Sequence, residues 1–200
     1  MAPELTGLVL AGGSSRRMGR DKARLELDGR DLIGLVVDRL SAICGEVLIV
    51  GTDPTPYSDL GAGLVADVFP GVGVLGGLHA GLRAASCELA LAVGCDMPFL
   101  DTELLLAFAG WAEGYDVALL RQDRQVEPLH AAYRRTCIEA MEEAIRAGDR
   151  RVVSFFERVS VHYVTPDQVR RLDPDLRSFR NVNTAEDWQA VLEEWPGAGG

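Results

Sequence analysis

At 200 residues, 48% hydrophobic and 25% charged, the chain suits one globular domain long enough to bury a full core. A net charge of −10 argues against general nucleic-acid binding, which needs a basic face. No apolar stretch approaches membrane-spanning length, no signal-type segment opens the chain, and Cys44, Cys87, Cys95 and Cys137 lack metal-type spacing, so no membrane and a reducing cytoplasm are expected.

The first element is a short apolar run, Gly7 to Leu10, which reads as a buried strand. It opens into Ala11-Gly12-Gly13-Ser14-Ser15-Arg16-Arg17-Met18-Gly19-Arg20-Asp21-Lys22. Gly12 and Gly13 permit a tight turn whose N–H groups approach a ligand closely, and a concave run of such groups binds anions. Ser14 and Ser15 add hydroxyl donors, while Arg16, Arg17 and Lys22 bring positive charge against a polyphosphate. Lys22 is the one lysine in the chain. Arginine serves wherever a generic cation will do, and a compact ammonium on a flexible stem is kept for this stretch. The alternative is a turn with solvated arginines, but the strand before it and the lone lysine favour a small nucleotide. A P-loop is excluded, because Gly13 and Gly19 stand one residue too far apart and Arg20-Asp21 follows.

Leu32, Ile33, Val36, Val37, Leu40 and Ile43 recur at helical spacing and predict a helix over 31–43. Val47 to Val50 is the next strand, followed by a turn-rich stretch with Asp53, Pro54 and Pro56, then a short strand at Leu64 to Ala66. Gly71-Val72-Gly73-Val74-Leu75-Gly76 matches the dinucleotide fingerprint in letters only. Asp67-Val68-Phe69-Pro70 separates it from the strand, so 71–77 is expected to be a loop leading into a helix over 77–85. Leu89 to Val93 is a fully apolar strand ending at Gly94-Cys95-Asp96, and Asp101 suits the N-cap of a helix through Leu104, Leu105 and Phe108. Val117 to Leu120 is a strand, and 127–133, containing Pro128, reads as an edge strand. A helix is predicted over 136–147, a short one over 152–156 with Val152, Val153, Phe155 and Phe156 as core, and a strand over 159–164. Thr184 and Asp187 form a capping-box pattern before a last helix, and 196–200 reads as a frayed tail. The alternation predicts an α/β fold: a single three-layer domain over 1–195, its central sheet mostly parallel, with helices on both faces in the Rossmann manner.

In such sheets ligands lie beyond the carboxyl ends of the strands, so Gly12-Gly13 and Asp96 should reach one edge. A carboxylate facing a polyphosphate implies a cation between them, so Mg²⁺ is expected on Asp96. The other reading, Asp96 as a helix cap, is weakened because Asp101 fits that role. Asp67 also follows a strand and is open to a role as second ligand or as a base or ribose contact. His79 reads as a packed or partly exposed residue within a helix, and His130 either packs or contacts a second substrate.

The segment Leu10 to Lys22 resembles the signature of sugar-nucleotide-pyrophosphorylase-like nucleotidyltransferases. Together with 73–77, Gly94-Cys95-Asp96-Met97-Pro98-Phe99, Glu127-Pro128-Leu129-His130-Ala131 and Asn181-Val182-Asn183-Thr184, the chain resembles the molybdenum cofactor guanylyltransferase (MobA) family along nearly its whole length. The resemblance implies a nucleotide-diphospho-sugar-transferase-like fold. It also implies transfer of GMP from GTP to the terminal phosphate of molybdopterin (Mo-molybdopterin), with release of pyrophosphate. By the same resemblance Leu10, Ala11 and Gly12 line the nucleotide site with Asp67 beside them, Lys22 contacts the phosphates, Asp96 binds Mg²⁺ and GTP, and Asn181 and Asn183 face the acceptor. The residues themselves add Gly13, Ser14 and Gly51 to the nucleotide site, Arg17 to the phosphates, and His130 as an open candidate for the acceptor. Two departures are visible: Gly73-Val74-Leu75-Gly76-Gly77 replaces the frequent Gly-Pro-Leu-Ala-Gly, and Gly51 stands where an asparagine can contact the nucleotide. Both bear on the choice of base more than on the chemistry. Rival readings are cytidylyl transfer to the same acceptor, transfer to another small phosphorylated acceptor, and a nucleotide-binding cofactor carrier without turnover. A monomer or weak homo-oligomer is expected, with a protein that delivers molybdopterin as a further partner.

Overall fold

Six consecutive residues buried on both faces make Leu5–Leu10 (β1) the centre of the sheet. The computed structural model describes residues 4–12 and 21–195. β1 pairs in parallel with Glu46–Gly51 (β4) on one side and Leu89–Gly94 (β6) on the other. β4 continues in parallel to Gly63–Ala66 (β5) at one edge. Beyond β6 lies Ala131–Arg134 (β9), antiparallel to both β6 and Val117–Gln122 (β7). Val161–Val164 (β10) pairs in parallel with β7 at the other edge, and Gln125–Val126 (β8) folds back on β7. The order is β10-β7-β9-β6-β1-β4-β5, a mostly parallel sheet in which β9, and the short β8 beside β7, run in reverse. A small separate hairpin joins Glu26–Leu27 (β2) to Arg30–Asp31 (β3) through Asp28 and Gly29, both at positive φ, as an Asp-Gly turn favours.

Alternate strand residues feed two cores. Val9, Ile49, Leu91 and Val93 pack against Leu32–Ser41 (α1) and Thr102–Trp111 (α3). Leu8, Leu10, Val50 and Ala92 pack against Val74–Ala84 (α2) and Cys137–Arg146 (α4). Each fully buried leucine or valine contributes about 1.5–3 kcal/mol, so the period of two holds the register firmly. A third, smaller core joins Leu27 and Leu32 to Val182 and Val191, which docks Ala185–Glu194 (α6). A four-residue turn of helix, Pro166–Val169 (α5), follows β10. The expected caps are present: Asp101 accepts from the Leu104 N–H, and Thr184 and Asp187 form a complete capping box.

Three expectations need correction. The stretch over 127–133 is not an edge strand: β9 begins only at Ala131 and runs inside the sheet. Pro128 lies before the ladder, where its missing N–H costs nothing, and its carbonyl accepts from the Tyr133 hydroxyl at 2.7 Å. The loop assigned to 71–77 is partly helix, since α2 starts at Val74. Gly77 and Gly81 lower its intrinsic propensity but let it press on the sheet; a Cβ at Gly81 would lie 2.9 Å from Leu8 Cδ1. The segment over 152–156 is a 3₁₀ turn, Val152–Arg158, in which Phe155 and Phe156 are core and Val153 is exposed. The tail at 196–200 lies outside the described residues.

Candidate nucleotide site

β1, β4, β5 and β6 run in one direction, so Leu10, Gly51, Ala66 and Gly94 end along one edge. Backbone bonds carry the ladder one step past the strands. Ala11 donates to the Val50 carbonyl (2.8 Å), Asp67 to Gly51 (2.8 Å) and Cys95 to Leu10 (3.2 Å). The first residue of each connecting loop is thereby fixed. A Cβ at Gly51 would stand 2.7 Å from the Ala11 carbonyl oxygen, so this crossing point admits glycine alone without a shift.

Over this edge opens a cleft of about 1170 Å³. Leu10, Ala11, Gly12, Lys22, Gly51, Asp67, Asp96, Asn181 and Asn183 all line it, so these expected positions are brought together. Lys22 begins a 3₁₀ turn, Lys22–Arg24, capped by Asp21, whose Oδ1 accepts from the Ala23 N–H at 3.1 Å. The Lys22 ammonium donates to Asp96 Oδ2 (3.1 Å), the Val182 carbonyl (3.0 Å) and Asn183 Oδ1 (3.2 Å). The Val182 N–H in turn donates to the Asp96 carbonyl at 2.9 Å. Three segments distant in sequence thus meet on one ammonium. The Lys22 and Asp96 side chains are each 18% exposed, open enough to exchange partners with a ligand in the cleft. Asp96 folds back over its own strand end: a Cβ at Gly94 would lie 2.8 Å from Asp96 Oδ1.

Asp67 accepts from the Phe69 N–H through Oδ1 at 2.8 Å, and its carboxylate lies against Gly76 in the first turn of α2. A negative charge is favoured there by the helix dipole. Asn181 has a buried Oδ1 without a partner among the described residues. Cys95 also lines the cleft, but burial, with Asp96 and Asp21 adding, pushes its thiol up to about 12, which makes it a poor nucleophile at neutral pH. Among the described residues no group of three or more His, Cys, Asp or Glu is placed to hold a metal.

Gly13, Ser14, Ser15, Arg16 and Arg17 lie outside the described residues. Of the two readings open for His130, the packed one describes its place in the fold. A φ of +69° turns its ring inward, where it is 0% exposed between Phe108 and Phe179, at centroid distances of 5.5 and 4.7 Å. Burial lowers its pKa to about 4, and its neighbour Leu129 lines the cleft instead. His79 is packed rather than partly exposed, with Nε2 3.0 Å from Glu142 Oε1.

Sequence reasoning missed Tyr57, Thr52, Thr184 and Ala185, which also line the cleft. A tyrosine within the proline-rich turn after β4 was the available signal for the first. It also set aside Gly71 and Gly73, which reach the cleft at φ of +85° and +78°. The letters that fail as a dinucleotide fingerprint still build a wall of the site.

The MobA-like NTP transferase domain model matches residues 7–164. A probable molybdenum cofactor guanylyltransferase of Pelotomaculum thermopropionicum is 41% identical over 92% of this chain and 90% of its own length. The molybdenum cofactor guanylyltransferase of Desulfosudis oleivorans is 37% identical over 92% of each. Among solved structures, molybdopterin-guanine dinucleotide biosynthesis protein A from Archaeoglobus fulgidus superposes with a TM-score of 0.81 at 31% identity, covering 94% of this chain and 97% of its own. The 2-C-methyl-D-erythritol 4-phosphate cytidylyltransferase of Thermus thermophilus, at 18% identity and a TM-score of 0.66 over 92% of this chain and 95% of its own, shares the fold. No helix among the described residues is long and apolar enough to cross a membrane. A parallel sheet whose strand ends carry a lone ammonium against an aspartate, matched along its length by these relatives, marks the chain as a nucleotidyltransferase belonging to the MobA-like NTP transferase family.

Proposed function

We propose that the chain transfers GMP from GTP to the terminal phosphate of Mo-molybdopterin, giving a guanine dinucleotide cofactor and pyrophosphate. The observation that carries this reading is the meeting of the Lys22 ammonium with Asp96 and with the 182–183 segment inside one cleft. The kinship with molybdenum cofactor guanylyltransferases supports guanine as the base and molybdopterin as the acceptor. An oxygen of the acceptor phosphate attacks the α-phosphorus of GTP, the bond between that phosphorus and the bridging oxygen to the β-phosphate breaks, and pyrophosphate leaves. The attacking phosphate is already ionised, so no strong general base is needed, and the work lies in positioning and in neutralising charge.

Leu10, Ala11 and Gly12 would line the nucleotide beside Gly51 and Asp67. Lys22 would donate to the phosphates, and Asn181 and Asn183 would face the acceptor. Gly13, Ser14 and Arg17 belong to the same proposal from sequence alone. A single carboxylate with a free edge suits Mg²⁺, which takes one or two carboxylates together with phosphate oxygens and water rather than a full protein cage. Asp96 would hold that ion, which when bound offsets the negative charge of the triphosphate. The four free thiols accord with a cytoplasmic location. A monomer or weak homo-oligomer that receives its pterin from a protein partner completes the reading.

The test is incubation of the protein with Mg²⁺, molybdopterin and GTP, CTP or ATP in turn, with the product identified by mass. A guanine dinucleotide is expected, and a preference for CTP would refute the choice of base. Lys22→Ala separates an enzyme from a carrier: an enzyme loses turnover, a carrier only affinity.

A further inference from the structure

Lys22 sits on a three-residue turn outside the sheet ladder, so something other than the sheet must fix where its ammonium points. Asp21 holds that turn with one carboxylate oxygen on the Ala23 N–H. Its other oxygen, Oδ2, accepts from the Tyr57 hydroxyl at 2.7 Å. Tyr57 belongs to a second turn, Thr55–Leu60, and is 6% exposed, its ring packed in the core that α1 shares with the sheet. Burial, with Asp21 adding, raises its pKa, so the phenol stays protonated and remains a donor. The Arg24 guanidinium closes the arrangement from the other side. It lies over the Tyr57 ring at 5.2 Å, pairs with Asp31 and Asp59, and donates to the Pro56 carbonyl. Both ends of the Lys22 turn are therefore tied to the Thr55–Leu60 turn.

We propose that Tyr57 is a positioning residue for Lys22: its hydroxyl, through Asp21, locks the turn that presents the ammonium to Asp96. The proposal rests on the nucleotidyl-transfer reading for its effect on rate, though not for its geometry. Without the hydroxyl, Asp21 Oδ2 would face an apolar ring edge, and the carboxylate would turn to solvent and release the Ala23 N–H. The Lys22 stem, with four rotatable bonds, would then sample positions away from the cleft.

The sequence offers a direct probe, because selective ¹⁵Nζ/¹³Cε labelling of lysine yields one resonance, that of Lys22. Tyr57→Phe should move this resonance toward the value of free lysine while the Tm changes by only about 2–4 °C. Asp21→Asn, a second variant of unchanged size, should move it the same way. In the transfer assay Tyr57→Phe should lower kcat about tenfold. Combined with Lys22→Ala it should be no slower than Lys22→Ala alone. A lysine resonance unchanged in both Tyr57→Phe and Asp21→Asn, or losses that multiply in the double variant, overturns the proposal. The resonance is read without substrate, so absence of product from GTP and molybdopterin would refute the functional reading and leave this test standing.

Discussion

Gly51→Ala puts the geometry of the strand ends to a quantitative test. The added Cβ would meet the Ala11 carbonyl oxygen at 2.7 Å, whereas ordinary contact begins at 3.4 Å, so one backbone segment must give by about 0.7 Å. Neither segment is free to do so. The Ala11 N–H is held on Val50, and the Gly51 carbonyl accepts from Asp67. Overpacking of this kind costs about 1–3 kcal/mol, or roughly 2–12 °C of Tm in a chain of this length. The larger effect should fall on catalysis, since Ala11 and Gly12 line the cleft and misplacement by 1 Å can cost about 10²-fold. The assay is kcat/KM for nucleotidyl transfer at 25 °C, beside a thermal melt. A variant with wild-type turnover and an unchanged melt would show that this crossing is slack, and the account of how β1 and β4 fix the site would fall with it.

Lys22→Arg should lower transfer at least about tenfold with little change in Tm, because a planar fork cannot meet three acceptors that converge at 3.0–3.2 Å on one ammonium; wild-type kinetics would refute this. His130 binds its proton more weakly folded than unfolded, with a pKa lowered to about 4, so its contribution is complete above about pH 6.5 and is lost as pH falls toward 4. His130→Asn, which tolerates the positive φ, should remove about 3 kcal/mol of that acid sensitivity in urea melts, and the KM for the acceptor should stay unchanged because the ring does not reach the cleft. Gly110→Ala should stabilise α3 by about 0.5–1 kcal/mol, since no described neighbour stands within 4 Å of the new methyl group; a lower urea midpoint would contradict the packing described for that helix.

Much of this was legible because the signals are local. Apolar runs such as Leu89 to Val93 can bury both faces only in a covered parallel sheet, and strand direction then sends Leu10 and Asp96 to one edge. The caps at Asp101 and Thr184 depend on a few adjacent residues and were equally readable. What escaped depends on partners distant in the chain. The reversed strand β9 is set by pairing with β6 and β7, and nothing in Ala131-Ala132-Tyr133 announces its direction. His130 resembles a site histidine until its positive φ turns it into the core. Gly51 reads as a lost asparagine donor, yet its absent side chain makes room for Ala11 across the sheet. Tyr57 belongs to the same class, since its importance lies in a bond to Asp21, 36 residues away in the chain.

The placement of Lys22 also explains why one lysine among so many arginines is chemically sensible. Its ammonium touches Asp96, on the side proposed for the nucleotide, and Val182 and Asn183, on the side proposed for the acceptor. A group in that position can follow charge as it moves from the attacking acceptor phosphate, which enters the new phosphoanhydride, to the departing pyrophosphate. That requires a donor able to redirect three N–H bonds about a single point, which an ammonium on a flexible stem does and a guanidinium fork does not. Mobility of that kind helps only if the base of the stem is held still. The clamp of Asp21, Tyr57 and Arg24 fixes the base and leaves the tip free. Loosening the clamp and shortening the reach should therefore damage the same step, which is why the two kinds of variant are expected not to add.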